Sequence, residues 1–173
     1  MAAAQRLADD DLAAVYSSDL ERALHTARAI AELHDLEVRP DPAFREIDQG
    51  EWTGLPTEEI RARWPELWGG ARHYSARPGG ESPSEVRTRA LGGLVRVVAQ
   101  HPTGTVVVVS HGGTIRWIGA EALGYDDHES ARMEGLANGA MVVLEAEIAN
   151  QGLALSGYER WDDRATPADD PND

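Results

Sequence analysis

The run Val106-Val107-Val108-Val109-Ser110-His111-Gly112-Gly113-Thr114 constrains the fold more than any other part of the chain. Four β-branched residues in a row predict a buried strand, and a His followed by two glycines ends it at its C-terminal side. In open α/β sheets, ligands sit at strand ends that face a crevice. Gly112 and Gly113 bare backbone N–H groups that can approach an anion. Phosphate chemistry is therefore the leading expectation, with His111 donating to a phosphate oxygen or sharing positive charge with it.

Composition narrows the partners. At 173 residues the chain fits one domain with a real core, and 42% hydrophobic residues argue for a globular fold. Having no Cys excludes a disulfide scaffold, a thiol nucleophile and a thiolate metal site. The net charge of −14 argues against nucleic acid or an anionic membrane as partner, so cations that meet a phosphate must be concentrated in a pocket. The sequence shows neither a membrane-length apolar run nor a signal-peptide start, which gives a cytoplasmic expectation.

The rest of the chain alternates strands and helices. Ala2 to Leu12 reads as the end of a helix and Leu12–Ser17 as a short strand. Ser18 and Glu21 match a capping box, followed by a helix with one buried face through Leu20, Ala23, Leu24, Ala27, Ile30 and Ala31. Glu37–Arg39 and Ala43–Ile47 read as short extended pieces. Residues 48–80, rich in Gly, Pro and Trp, read as a lid with helix at Thr57–Trp64 and around Leu67. Ser82-Pro83-Ser84-Glu85 is a second capping box, opening a helix to about Gln100. A strand at 105–110, a helix at 114–124 and final strands at Gly139–Ala146 and Leu153–Tyr158 complete a three-layer α/β/α arrangement with a mainly parallel sheet. The domain is expected over 1–158. Residues 159–173 carry six acids against two Arg and read as a mobile tail.

Three side chains stand out beside the two glycines. His111 lies at a strand end. Arg22 lies in the first turn of a helix, where a cation is unfavourable unless an anion shares that end. Glu46 lies among Gly and Trp in Phe44–Gly54, where a partly desolvated carboxyl can protonate a leaving group. Asp48 and Glu51 compete with Glu46 on local pattern alone. Arg28 and Arg45 read as surface residues, and Gly79-Gly80-Glu81-Ser82 as a capping turn rather than an anion loop. Trp64-Pro65-Glu66-Leu67-Trp68 can equally line a pocket or pack the lid. His25, His34, His73, His101 and His128 lack metal-ligand spacing, so neither a metal nor a cofactor is expected.

Together these segments resemble the histidine phosphatase superfamily, the branch holding cofactor-dependent phosphoglycerate mutases and small-metabolite phosphatases. The resemblance rests on Tyr16–Ala23 with Thr26-Ala27, Phe44–Gly54, Pro78–Ser82 and Ser110–Gly113. It implies a phosphate-binding role for Arg22, the general acid for Glu46, and phosphate binding with transition-state stabilisation for His111. It also implies a nucleophilic His in an Arg-His-Gly motif ending a first, central strand. No Arg-His-Gly occurs here, and Arg72-His73 in the lid is not expected to substitute.

Three functions follow as expectations. The first is a phosphomonoesterase for a small phosphorylated metabolite, its nucleophile strand preceding residue 1. The second is a nucleophile-less protein that binds an anionic ligand or performs other acid–base chemistry. The third is a mutase, disfavoured by the short stretch between Glu46 and Gly79. Exposed strand edges would favour a homodimer.

Overall fold

A computed structural model describes residues 2–68, 75–150 and 152–161. The Arg72-His73 pair and the tail beyond Trp161 lie outside the described residues. In chain order the elements are α1 (Ala2–Arg6), β1 (Leu12–Ser17), α2 (Glu21–Leu33), β2 (Val38–Pro40), α3 (Thr57–Arg63), α4 (Pro83–Gln100), β3 (Thr105–Val109), α5 (Gly112–Ala122), α6 (Asp127–Ala131), β4 (Met141–Ala149) and β5 (Gly152–Trp161). No helix among the described residues is long and apolar enough to cross a membrane.

β1, β2 and β3 form a parallel sheet in the order β2-β1-β3. Alternation along the strands sorts the core into two layers. Val15, Val107 and Val109 pack with Ala27, Ile30 and Ala31 of α2 on one face. Ala14, Tyr16, Val106 and Val108 pack with Phe44 and with Leu94 and Val97 of α4 on the other. This is the expected three-layer α/β/α arrangement. Among the described residues β3 pairs on one side only, with β1.

Three local expectations give way to tertiary contacts. Ala43–Ile47 forms no strand, although Arg45 keeps extended backbone angles. Pro42–Phe44 forms a 3-10 turn whose start is capped by Asp41, which accepts from the Ala43 N–H at 2.8 Å. Phe44 is thereby driven into the core, where it is fully buried. The final strands do not extend the parallel sheet but form a separate antiparallel pair. β5 continues through Glu159, Arg160 and Trp161, so the hairpin reaches into the stretch expected to be tail. Gly119 of α5 receives it closely, since a Cβ there would lie 2.7 Å from the Tyr158 ring.

The third difference is at α2. Leu20, not Ser18, flanks its first turn, and no side chain caps it. The Ser18 hydroxyl is engaged by His111, and Glu21 turns to Arg28 at 3.1 Å. The capping box at Ser82 forms as expected, with Ser82 Oγ accepting from the Glu85 N–H and Glu85 accepting from the Ser82 N–H. The same helix carries two adjacent glycines with opposite surroundings. A Cβ on Gly93 would lie 2.9 Å from Ala43 Cβ and 3.0 Å from the Phe44 ring, whereas one on Gly92 meets only Arg96 Nη1 at 4.0 Å. Gly92→Ala should therefore stabilise by about 0.5–1 kcal/mol in urea unfolding. Gly93→Ala should destabilise by roughly 1–2 kcal/mol despite the same gain in helix propensity, because overpacking outweighs it.

Candidate active site

The C-terminal ends of β1 and β3 lie side by side, with Ser17 opposite Val109. The chain after each strand therefore emerges into the same crevice. Ser18 and His111 meet there, with His111 Nε2 at 2.9 Å from Ser18 Oγ. From the first turn of α2, Arg22 Nε donates to His111 Nδ1 at 3.2 Å. A nitrogen that accepts from a guanidinium carries no proton, so the contact fixes the neutral tautomer with hydrogen on Nε2, donating to Ser18. Two residues that are distant in sequence, Arg22 and His111, are thus directly joined.

Glu46 joins the site at the start of α5. Its Oε1 accepts from the Ile47 N–H at 2.9 Å and its Oε2 from the Gly113 N–H at 3.1 Å. The Gly113 N–H, expected to face a bound anion, here faces the Glu46 carboxylate at the N-terminus of α5. The approach is close, since a Cβ on Gly113 would lie 2.6 Å from Glu46 Oε1 and would push the carboxylate aside. Thr114 is buried beneath the pair and donates from Oγ1 to the Arg45 carbonyl at 2.8 Å. Gly112 is exposed in the first turn of α5.

Electrostatics follow from this packing. Burial pushes the His111 imidazole below its ordinary value; Glu46 opposes that shift, while Arg22 and Arg89 reinforce it. The Arg45 guanidinium forks onto Asp19, at 2.6 Å to Oδ1, and holds that carboxyl below the usual range. Arg45 and Arg28 are therefore engaged in ion pairs, as their surface reading implied.

Asp48 and Glu51 do not join Glu46. Both are exposed, and Asp48 Oδ1 accepts from the Gly50 N–H at 2.9 Å. Gly50, at φ +53°, and Gly80 face each other so closely that a Cβ on Gly80 would lie 2.3 Å from the Asp48 carbonyl oxygen. The Gly79-Gly80 segment is thus a backbone-to-backbone junction. Trp64 and Trp68 pack around Trp52, with ring centroids 6.3 and 6.0 Å away. Among the described residues no cluster of three or more His, Asp or Glu side chains could hold a metal ion.

Arg89 is the residue that sequence reasoning missed. From the inner face of α4 its guanidinium donates to the carbonyls of Ala43, Arg45 and Glu46, at 2.8, 2.8 and 3.0 Å, and to both oxygens of Glu81 at 2.7 and 2.9 Å. That fork holds the Glu81 carboxyl below its ordinary value. The available signal was its position between Val86, Ala90 and Gly93 on the helix face that packs inward.

Two outcomes are expected. Arg89→Lys should cost about 2 kcal/mol in urea unfolding, because an ammonium cannot span five acceptors in a plane. His111 should titrate below the ordinary His value near ~6.5 in a proton NMR titration. Since its folded value is depressed, the unfolded chain takes up the proton first. The stability it contributes is complete above the unfolded value and is lost as pH falls towards the folded one. His111→Gln should therefore flatten the loss of stability below neutral pH; an unchanged pH dependence would contradict the assignment.

The sequence pattern of the histidine phosphatase superfamily (branch 1) matches residues 1–158. Phosphoserine phosphatase 1 of Hydrogenobacter thermophilus is 40% identical over 126 residues, covering 71% of this chain and 60% of the relative. Glucosyl-3-phosphoglycerate phosphatase of Mycolicibacterium vanbaalenii is 32% identical over 162 residues, covering 88% of this chain and 72% of the relative. Among solved structures, a mycobacterial glucosyl-3-phosphoglycerate phosphatase in complex with inorganic phosphate superposes with a TM-score of 0.82 at 30% identity, covering 93% of this chain and 82% of that one. The chain spans little more than half the length of some curated relatives, 60% in one and 54% in another. With the sequence pattern matched across residues 1–158 and the parallel α/β sheet shared, the chain belongs to the histidine phosphatase superfamily, branch 1.

Proposed function

We propose that this chain carries the phosphate-handling half of a phosphomonoesterase acting on a small phosphorylated metabolite. The observation that carries the reading is the Arg22–His111 contact at the mouth of the parallel sheet, between the N-termini of α2 and α5. A phosphoryl group there meets the outer nitrogens of a guanidinium and the N-terminal ends of two helices, which suit the charge on its oxygens. The relatives named as phosphatases support hydrolysis. The short stretch between Glu46 and Gly79 favours it over mutase chemistry.

In this reading an imidazole nitrogen attacks phosphorus, the P–O ester bond breaks, and Glu46 gives its proton to the leaving alcohol. Water then cleaves the N–P bond, with the Glu46 carboxylate taking a proton from it. No Arg-His-Gly in residues 1–173 supplies that imidazole. Among the described residues β3 leaves one edge without a paired strand, next to the crevice where such an imidazole would have to act. A second reading rests on the lack of Arg-His-Gly in the sequence: residues 1–173 by themselves bind the anion without turning it over.

Inorganic phosphate should raise the melting temperature, equivalent to about 2.7 kcal/mol at one hundred times Kd. Arg22→Ala and His111→Ala should each abolish the shift. Phosphate release from an aryl phosphate that disappears in His111→Ala supports the esterase. Stabilisation without release supports the binding reading, and no stabilisation in the wild type overturns both.

A further inference from the structure

The far end of α5 carries a second opening. The helix is 11 residues long and so spans about 16 Å, with Gly113 holding Glu46 at its N-terminus. At its other end, walled by the turn after Leu123, by α6 and the segment that follows it, and by β5, lies an open cavity of about 500 Å³. That falls within the roughly 300–1,000 Å³ usual for small-molecule sites. None of Arg22, Glu46 and His111 lines it.

Each side of this wall is fixed by its own contacts. The Tyr125 N–H donates to the Ala120 carbonyl at 2.9 Å. Tyr158 stands on Gly119, and Arg160 donates to the carbonyls of Glu134 and Gly135 at 3.3 and 2.8 Å. Three polar groups are left over. Among the described residues the Arg132 guanidinium and the hydroxyls of Tyr125 and Tyr158 have no hydrogen-bond or ion-pair partner. The other charges of the wall are engaged: Glu134 lies 3.6 Å from Arg160, and Glu129 accepts from the Asp126 N–H at 3.0 Å. Burial holds the Tyr158 phenol above its ordinary value; Arg160 opposes that shift and Tyr125 adds to it. A protonated phenol can donate, so the guanidinium and the two hydroxyls offer donors from three residues. Leu123, exposed despite its bulk, and Met133 supply apolar surface in the same wall.

We propose that this cavity binds a small aromatic carboxylate, its acid on Arg132 and the two tyrosine hydroxyls and its ring on Leu123 and Met133. The proposal stands independently of the phosphate reading. A guanidinium fork matches a carboxylate with two parallel hydrogen bonds. Thioether and aromatic side chains favour a flat ring over an aliphatic body. Glu129 and Glu134 share the wall, so a singly charged acid suits it better than a doubly charged phosphate.

The test is binding of phenylacetate to the full chain, followed by amide chemical shifts, with phenylacetamide and acetate as controls. Phenylacetamide keeps the ring without the charge, and acetate keeps the charge without the ring. Phenylacetate should bind about tenfold more tightly than either and shift the amides of Leu123, Tyr125 and Met133. Arg132→Ala should bring its affinity to within about threefold of phenylacetamide, and Arg132→Lys should recover part of the difference. Arg132 is exposed at the end of α6, so these variants probe the ligand rather than the fold. Tyr125→Phe, which removes one hydroxyl, should weaken phenylacetate by about threefold. Arg22→Ala and saturating inorganic phosphate should leave phenylacetate binding unchanged. Equal affinity for phenylacetate and phenylacetamide, full affinity in Arg132→Ala, or no shift at the three amides overturns the site. Loss of phenylacetate binding in Arg22→Ala, or its displacement by phosphate, overturns it too, by placing the acid in the crevice of β1 and β3.

Discussion

Residues 43–46 have no strand to pair with, and side chains satisfy their carbonyls: Ser110 donates to that of Phe44, Thr114 to that of Arg45, and Arg89 reaches three of the four. The Arg89 guanidinium gives hydrogen bonds to three of these carbonyls and closes its remaining valence on Glu81. Backbone acceptors in a packed region need donors, and here a planar fork supplies them in place of a ladder. Glu81 in turn accepts from the Asp48 N–H at 2.9 Å, so the same network reaches beyond Glu46 into the lid. The position of Glu46 is inherited from α4, itself fixed by the Ser82 cap and by the close fit of Gly93 against Phe44.

From that base the site separates its two charges. Glu46 is held by the N-terminus of α5, through the N–H of Gly113. Arg22 is held against a neutral imidazole, which adds no charge and gives the guanidinium a fixed direction. Both act on His111, and their opposing influences on its protonation follow from their opposite charges, burial being the larger effect. A strongly acidic chain can keep such a site because its cations are gathered locally and its surface acids are not.

Sequence made the strand at Val106–Val109, read from its unbroken β-branched run, and the capping box at Ser82 legible, because each is a local pattern whose physical cause lies within a few residues. His111 stood out at its strand end, whereas local pattern left Glu46 level with Asp48 and Glu51, and only the family resemblance singled out Glu46. What was hidden depends on partners distant in the chain. Ser18 has the look of a helix cap, yet its hydroxyl is claimed by His111 across 93 residues of sequence. Arg89 looks like a solvated helix residue until the 43–46 carbonyls are set against it. Alternation cannot tell which sheet a strand joins, so β4 and β5 were found as strands while their separate pairing was not.

The parallel neighbours β1 and β3 also set the order in which this molecule can assemble. Their pairing closes a loop that includes α2, the lid and α4, and loop-closure entropy must be met before the contact returns any free energy. The β4–β5 hairpin closes over a turn at Asn150 and can form on a microsecond scale. The crevice that unites Arg22 with His111 is therefore a late product of folding. Its rate of formation is governed by the slowest long-range encounter in the chain rather than by the helices that flank it.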